Sequence, residues 1–157
     1  MIPGRRINVI FMSIKINDFV DLADILKENI NQLMNKILYI VHTTSDKWQG
    51  SPNKTDNDRL LITWKLPEIE EGDNEKNEQR LEQRTEFADK ALIAAVKIVS
   101  EIRRYTELAT YSHKPEILKR FGPKYRPFLT FGLHMGWAIE GAIGSADYKI
   151  DACYLSP

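Results

Sequence analysis

The sequence predicts an α+β sandwich, a mostly antiparallel sheet with helices packed on one face. Short β-branched apolar runs alternate with long stretches whose apolar residues fall at three-and-four spacing. Their order is strand, long helix, strand pair, helix, strand pair, which suits helices gathered on one side of a sheet.

Residues 7–14, Ile-Asn-Val-Ile-Phe-Met-Ser-Ile, are nearly all apolar and predict a core strand buried on both faces. From Phe19 to Val41 the period changes: Leu22, Leu26, Ile30, Leu33 and Ile37 mark one face of a long helix, with one break allowed. Residues 49–58 are dense in turn formers and predict a turn that feeds a second buried strand, Leu60–Leu66. Residues 67–83, opened by Pro67 and rich in Glu, Asn and Gln, have little to bury and predict a mobile polar surface insertion. A second amphipathic helix carries Phe87, Ala91, Leu92, Ala95, Ile98, Ile102 and Tyr105 on one side. Pro115 then opens a short helical turn that Gly122-Pro123 stops. Phe128–Met135 and Trp137–Ile143 predict two strands joined tightly at Gly136, and Tyr148–Leu155 a third.

Bulk properties narrow the function. A chain of 157 residues suits one domain, residues 1–157, and 22 basic against 22 acidic residues leave no net field to draw nucleic acid or an anionic membrane. An RNA-binding sheet is disfavoured further because no aromatic pair of the RNP type is present. A single cysteine, Cys153, cannot form an internal disulfide, which fits a reducing, cytoplasmic compartment. No signal-peptide pattern opens the chain, and no stretch reaches the roughly 20 apolar residues that span a bilayer. An anchor, or attachment to a larger assembly, would therefore lie outside this sequence.

Two stretches carry a family resemblance. The first is Phe131-Gly-Leu-His-Met-Gly-Trp-Ala-Ile-Glu-Gly-Ala-Ile-Gly-Ser145, followed by Lys149-Ile-Asp-Ala-Cys-Tyr-Leu-Ser-Pro157. The second is Ile40-Val-His42 with Pro52-Asn-Lys-Thr-Asp-Asn-Asp-Arg-Leu-Leu-Ile-Thr-Trp-Lys65. Together they resemble the catalytic domain of class III adenylate/guanylate cyclases of the protist and algal type. The resemblance implies a ferredoxin-like fold and a reaction in which the ribose 3′-hydroxyl attacks the α-phosphate of ATP or GTP and expels pyrophosphate. It also implies two Mg or Mn ions, held by two aspartates, that activate the hydroxyl and neutralise the triphosphate.

In that family the first aspartate stands four residues before a phenylalanine that opens the helix. Anchoring without gaps on Phe19, Leu26, Glu28 and Asn35 puts Lys15 at that position. A local slip would bring Ser13 there instead, a poor ligand for a hard divalent ion. Asp18 or Asp21 could substitute only if the turn between strand and helix were rebuilt. The second metal aspartate falls on Asp58; nearby Asp56 does not match the motif. At an effective dielectric of about 20, a unit charge pair about 4 Å apart is worth about 4 kcal/mol, so an ammonium opposes a dication by roughly twice that. No residue is therefore assigned a catalytic role, and Lys15 becomes a candidate phosphate contact.

For the base, Lys54 matches the lysine that favours adenine, and Cys153 falls where the family has Asp, Ser or Thr. A thiol there is a feeble hydrogen-bonding substitute. His42 and His134 fall in scaffold patterns shared with the family. The family's transition-state asparagine and arginine lie beyond the stretch that ends at Pro157, so on this reading the domain is C-terminally incomplete or lacks them.

Two functions follow. The favoured one is a pseudocyclase, a dimerisation or assembly module for another cyclase-type domain that can still bind a purine nucleotide. The alternative is an active adenylate or guanylate cyclase, completed in a homo- or heterodimer by a complementary partner.

Overall fold

The structure, a computed structural model, describes residues 3–70, 72, 74–143 and 151–155. Five strands form one wholly antiparallel sheet in the order β2-β3-β1-β4-β5: β1 (Arg5–Ile16), β2 (Ser51–Asp56), β3 (Arg59–Leu66), β4 (Leu129–Ile143) and β5 (Asp151–Leu155). Between them run α1 (Phe19–Leu26), α2 (Ile30–Lys47), α3 (Asn74–Arg104), α4 (Thr106–Ala109) and α5 (Pro115–Phe121).

β1 is central. It pairs with β3 from Asn8↔Leu66 to Lys15↔Arg59, and with β4 from Arg5↔Glu140 to Ile16↔Leu129. Side chains alternate between faces along a strand, so Ile10, Met12, Ile14 and Ile16 join Leu60, Ile62, Trp64 and Leu66 beneath the helices. The opposite face carries a small cluster of Ile7, Val9 and Ala138, flanked by Phe11 and Tyr154. From the helices, Leu22, Leu33, Ile37, Ala94 and Ile98 complete the main core with no exposed surface. Trp64 is 1% exposed, and its indole N–H donates to the Trp48 carbonyl at 2.8 Å, so its burial leaves no polar group unpaired.

The predicted long helix is broken once, by a 3₁₀ turn at Lys27–Asn29 where Lys27 takes a positive φ. α5 begins at Pro115 and stops at Gly122, whose φ of 85° a side chain would strain. The structure departs from the sequence expectations in three places. The turn-forming residues 51–56 are themselves an edge strand, closed onto β3 by Asn57, which tolerates its φ of 46°. Residues from Asn74 onward open α3 rather than forming a mobile insertion: Glu, Gln, Lys and Arg are good helix formers. Asn77, Arg80 and Arg84 tie these first turns back to Glu70 and Pro67. Gly136 is no hairpin corner, because β4 runs through it as one strand with Gly136 opposite Val9. Of the third predicted strand, Tyr148 to Ile150 lie outside the described residues.

Across the open face Lys65 on β3 meets Glu140 on β4, and the Tyr154 hydroxyl on β5 donates to the same carboxylate at 3.1 Å. The bond to Lys65 holds the Glu140 carboxyl below its ordinary value, and the bond to Glu140 raises Lys65 in turn. A depressed carboxyl stabilises the fold above its unfolded value and loses that contribution as pH falls through the folded one. Glu140→Gln should therefore be less stable than the parent near neutrality, and the gap should begin to close below pH 4.5. Urea titrations across that range check this; an unchanged gap in acid would contradict it.

A Cβ on Gly50 would lie 2.5 Å from the Trp64 ring and 2.9 Å from Ile62, whereas one on Gly132 would meet nothing within 4 Å. Gly50→Ala should cost about 1–3 kcal/mol of unfolding free energy, the usual size of overpacking. Gly132→Ala should stay within about 0.5 kcal/mol of the parent.

Candidate functional site

Lys15 is the penultimate residue of β1, exposed on the helix-free face. Asp58 sits in the turn between β2 and β3, where its carbonyl accepts the Ile16 backbone N–H at 2.7 Å. That bond sets Asp58 opposite Ile16, so Lys15 is the open-face residue of β1 beside it. Ser13 lies one row further in, opposite Leu61 and Gly132.

The register adds a residue that sequence spacing does not single out. Arg59 pairs directly with Lys15. Residues opposite one another share a face, with Cβ atoms about 4.5–5.5 Å apart, and like charges so placed repel. The Arg59 Nε also lies 4.0 Å from an Asp58 carboxylate oxygen. Asp58 thus lies at the end of this cation pair, in contact with Arg59. Only strand pairing identifies Arg59, since neither its type nor its place in Asn57-Asp58-Arg59 marks it.

Three other acidic groups lie near this corner. Asp21 meets Arg120 at 2.9 Å. Asp18 occupies the turn into α1 with a φ of 56°, near Tyr125. Burial first, and then the Asp18 charge, push the Tyr125 hydroxyl above its ordinary value. Asp56 faces Arg59 from the far side, on β2. Among the described residues no group of three or more His, Cys, Asp or Glu is placed to hold a metal ion. Mg and Mn sites commonly use one or two carboxylates together with substrate phosphates, and here Lys15 and Arg59 beside Asp58 offset the charge such a site would supply.

Lys54 lies on β2 opposite Leu61, exposed on the same face as Ser13. Cys153 is not brought to it. The β5 backbone at Cys153 pairs with Gly141, past the Glu140↔Arg5 end of the sheet. Lys54 lies in the row of Gly132, so the two positions are roughly 30 Å apart along β4 at about 3.3 Å per residue. His42 is half-buried in α2, where burial lowers its imidazole pKa, and His134 is exposed on β4. Neither joins the corner.

Similar solved structures share this architecture. A bacterial light-regulated adenylyl cyclase superposes with a TM-score of 0.68 at 20% identity, over 97% of this chain and 65% of its own. The guanylyl cyclase Cya2 gives 0.72 at 13% identity, over 99% of this chain and 66% of its own. The chain has the class III nucleotide cyclase fold. An unconventional dimeric guanylyl cyclase domain of the RhoGC fusion protein from the aquatic fungus Blastocladiella emersonii gives 0.64 at 14% identity, over 99% of this chain and 71% of its own. The chain spans just under two thirds of the first two cyclases. No protein-family model matches the sequence, and no curated protein sequence matches it.

Proposed function

We propose that this chain is a cyclase-fold module impaired in two-metal catalysis, acting as a dimerisation or assembly partner for another cyclase-type domain. The observation that carries the reading is the cross-strand pair Lys15–Arg59 beside Asp58. Two cations repel a divalent ion from the Asp58 carboxylate. The dimeric fungal guanylyl cyclase domain supports association as the mode of action, because it has the same fold. Lys54 supports retained purine binding, with ATP or GTP as the nucleotide. Within one chain Cys153 lies too far away to read the same base, so a second contact would come from a partner. One unpaired cysteine is compatible with a reducing, cytoplasmic location. No helix among the described residues is long and apolar enough to cross a membrane.

The reading is tested by incubating the purified chain with ATP or GTP and excess Mn²⁺ and scoring cyclic nucleotide. Losing one electrostatic stabiliser of a transition state costs about 10²–10³ in kcat. The unmodified chain should therefore show no product above the protein-free blank. Product formed by Lys15→Asp with Arg59→Ala, alone or mixed with an active cyclase domain, would locate the defect at this corner. Robust turnover by the unmodified chain would overturn the proposal.

A further inference from the structure

A cleft of about 350 Å³ opens between the last turns of α3 and the chain entering β4, lined by Val99, Ile102, Arg103, Arg126, Pro127, Phe128 and Leu129. Its body is apolar and both of its charged residues are arginines. Phe128 is 51% exposed, so its ring offers surface that this chain leaves uncovered.

Among the described residues no carboxylate lines the cleft to offset its two arginines. Arg5, Lys36, Lys65, Arg80, Lys90 and Arg120 each meet a carboxylate within ion-pair distance. Arg103, Arg104, Lys124 and Arg126 form no ion pair among the described residues. Glu101, two residues before Arg103 on α3, lines a different groove with Tyr39 and Lys97. Of those four cations, Arg103 and Arg126 line the apolar opening itself.

The walls are held in place without a ligand. Arg126 Nη1 donates to the Arg103 carbonyl at 2.9 Å, which satisfies an end carbonyl of α3 and fixes the Arg126 side chain over the cleft. The Phe128 carbonyl accepts from the Asn17 backbone N–H at 3.1 Å and from Asn17 Nδ2 at 3.2 Å, anchoring the opposite wall to the end of β1. Preformed walls lower the ordering cost of binding. Arg126 keeps further N–H donors, and the Arg103 side chain makes no hydrogen bond or ion pair among the described residues.

We propose that this cleft binds an amphiphilic anion, an acyl or aryl carboxylate. Its apolar body lies on Val99, Ile102, Pro127, Phe128 and Leu129, and its head meets Arg103 and Arg126. A guanidinium matches a carboxylate with paired N–H donors, and the volume falls at the lower end of small-molecule sites, which run from about 300 to 1,000 Å³. The cleft opens on the helix side at the same end of the sheet as Lys15, and the proposal does not depend on the catalytic reading.

Isothermal titration with monomeric decanoate tests it. The parent should bind saturably at one site, decanol should bind at least about tenfold more weakly, and Arg103→Gln should weaken decanoate by about tenfold, the worth of about 1.4 kcal/mol. Arg126→Gln should do the same; because it also removes the α3 contact, Arg103→Gln with an unchanged circular dichroism spectrum is the decisive variant. Absence of saturable binding, or equal affinity in Arg103→Gln, would overturn the proposal. So would binding to phosphatidylglycerol vesicles without binding of monomeric decanoate, which would make the patch a membrane contact.

Discussion

The structure depends on the register of β1, hydrogen-bonded on both sides for most of its length. Met12, Ile14 and Ile16 are completely buried under the helices and Val9 on the other face, each worth about 1.5–3 kcal/mol of apolar burial. A slip of one residue would turn every one of these side chains to the wrong face, so the register is strongly held. The same alternation decides where the charges go. With the even-numbered residues committed to the core, Lys15 must face outward, and the pairing with β3 then sets Arg59 beside it. Packing at the centre of the sheet thereby dictates the electrostatics at its end.

That dependence explains what could be read from the residues. β1, the broken helix from Phe19, β3 and the short helix at Pro115 were legible because burial or capping chemistry acts within a short window. β2 was not, since Pro52, Asn53 and Asp56 favour turns, and it is an edge strand, where a proline is tolerated. The extension of α3 back to Asn74 was hidden because its first turns bury little and rest on propensity and polar ties to Glu70 and Pro67. At Gly136 the glycine signal pointed to a corner, but unbroken pairing with β1 outweighs it.

The candidate site was legible only by half. Resemblance reached Lys15, Asp58 and Lys54, and the structure places Lys15 and Asp58 side by side. Arg59 escaped because its role is made by a partner strand, and the distance to Cys153 escaped because it is a property of the whole sheet. The cleft at Arg103 and Arg126 was invisible for the same reason: its arginines are 23 residues apart and meet through a backbone carbonyl. Charge balance over the whole chain concealed both places. Zero net charge coexists with a cation pair at one end of the sheet and unpaired cations around an apolar cleft.

On the proposed reading, the Lys15–Arg59 pair stands where a divalent ion would bind. The most direct test of this reading is a Mn²⁺ titration followed by electron paramagnetic resonance, which reads the free ion and needs no turnover. The unmodified chain should leave the Mn²⁺ signal unchanged at micromolar concentrations, while Lys15→Asp combined with Arg59→Ala should quench it saturably. Tight stoichiometric Mn²⁺ binding by the unmodified chain, abolished by Asp58→Asn, would contradict the account.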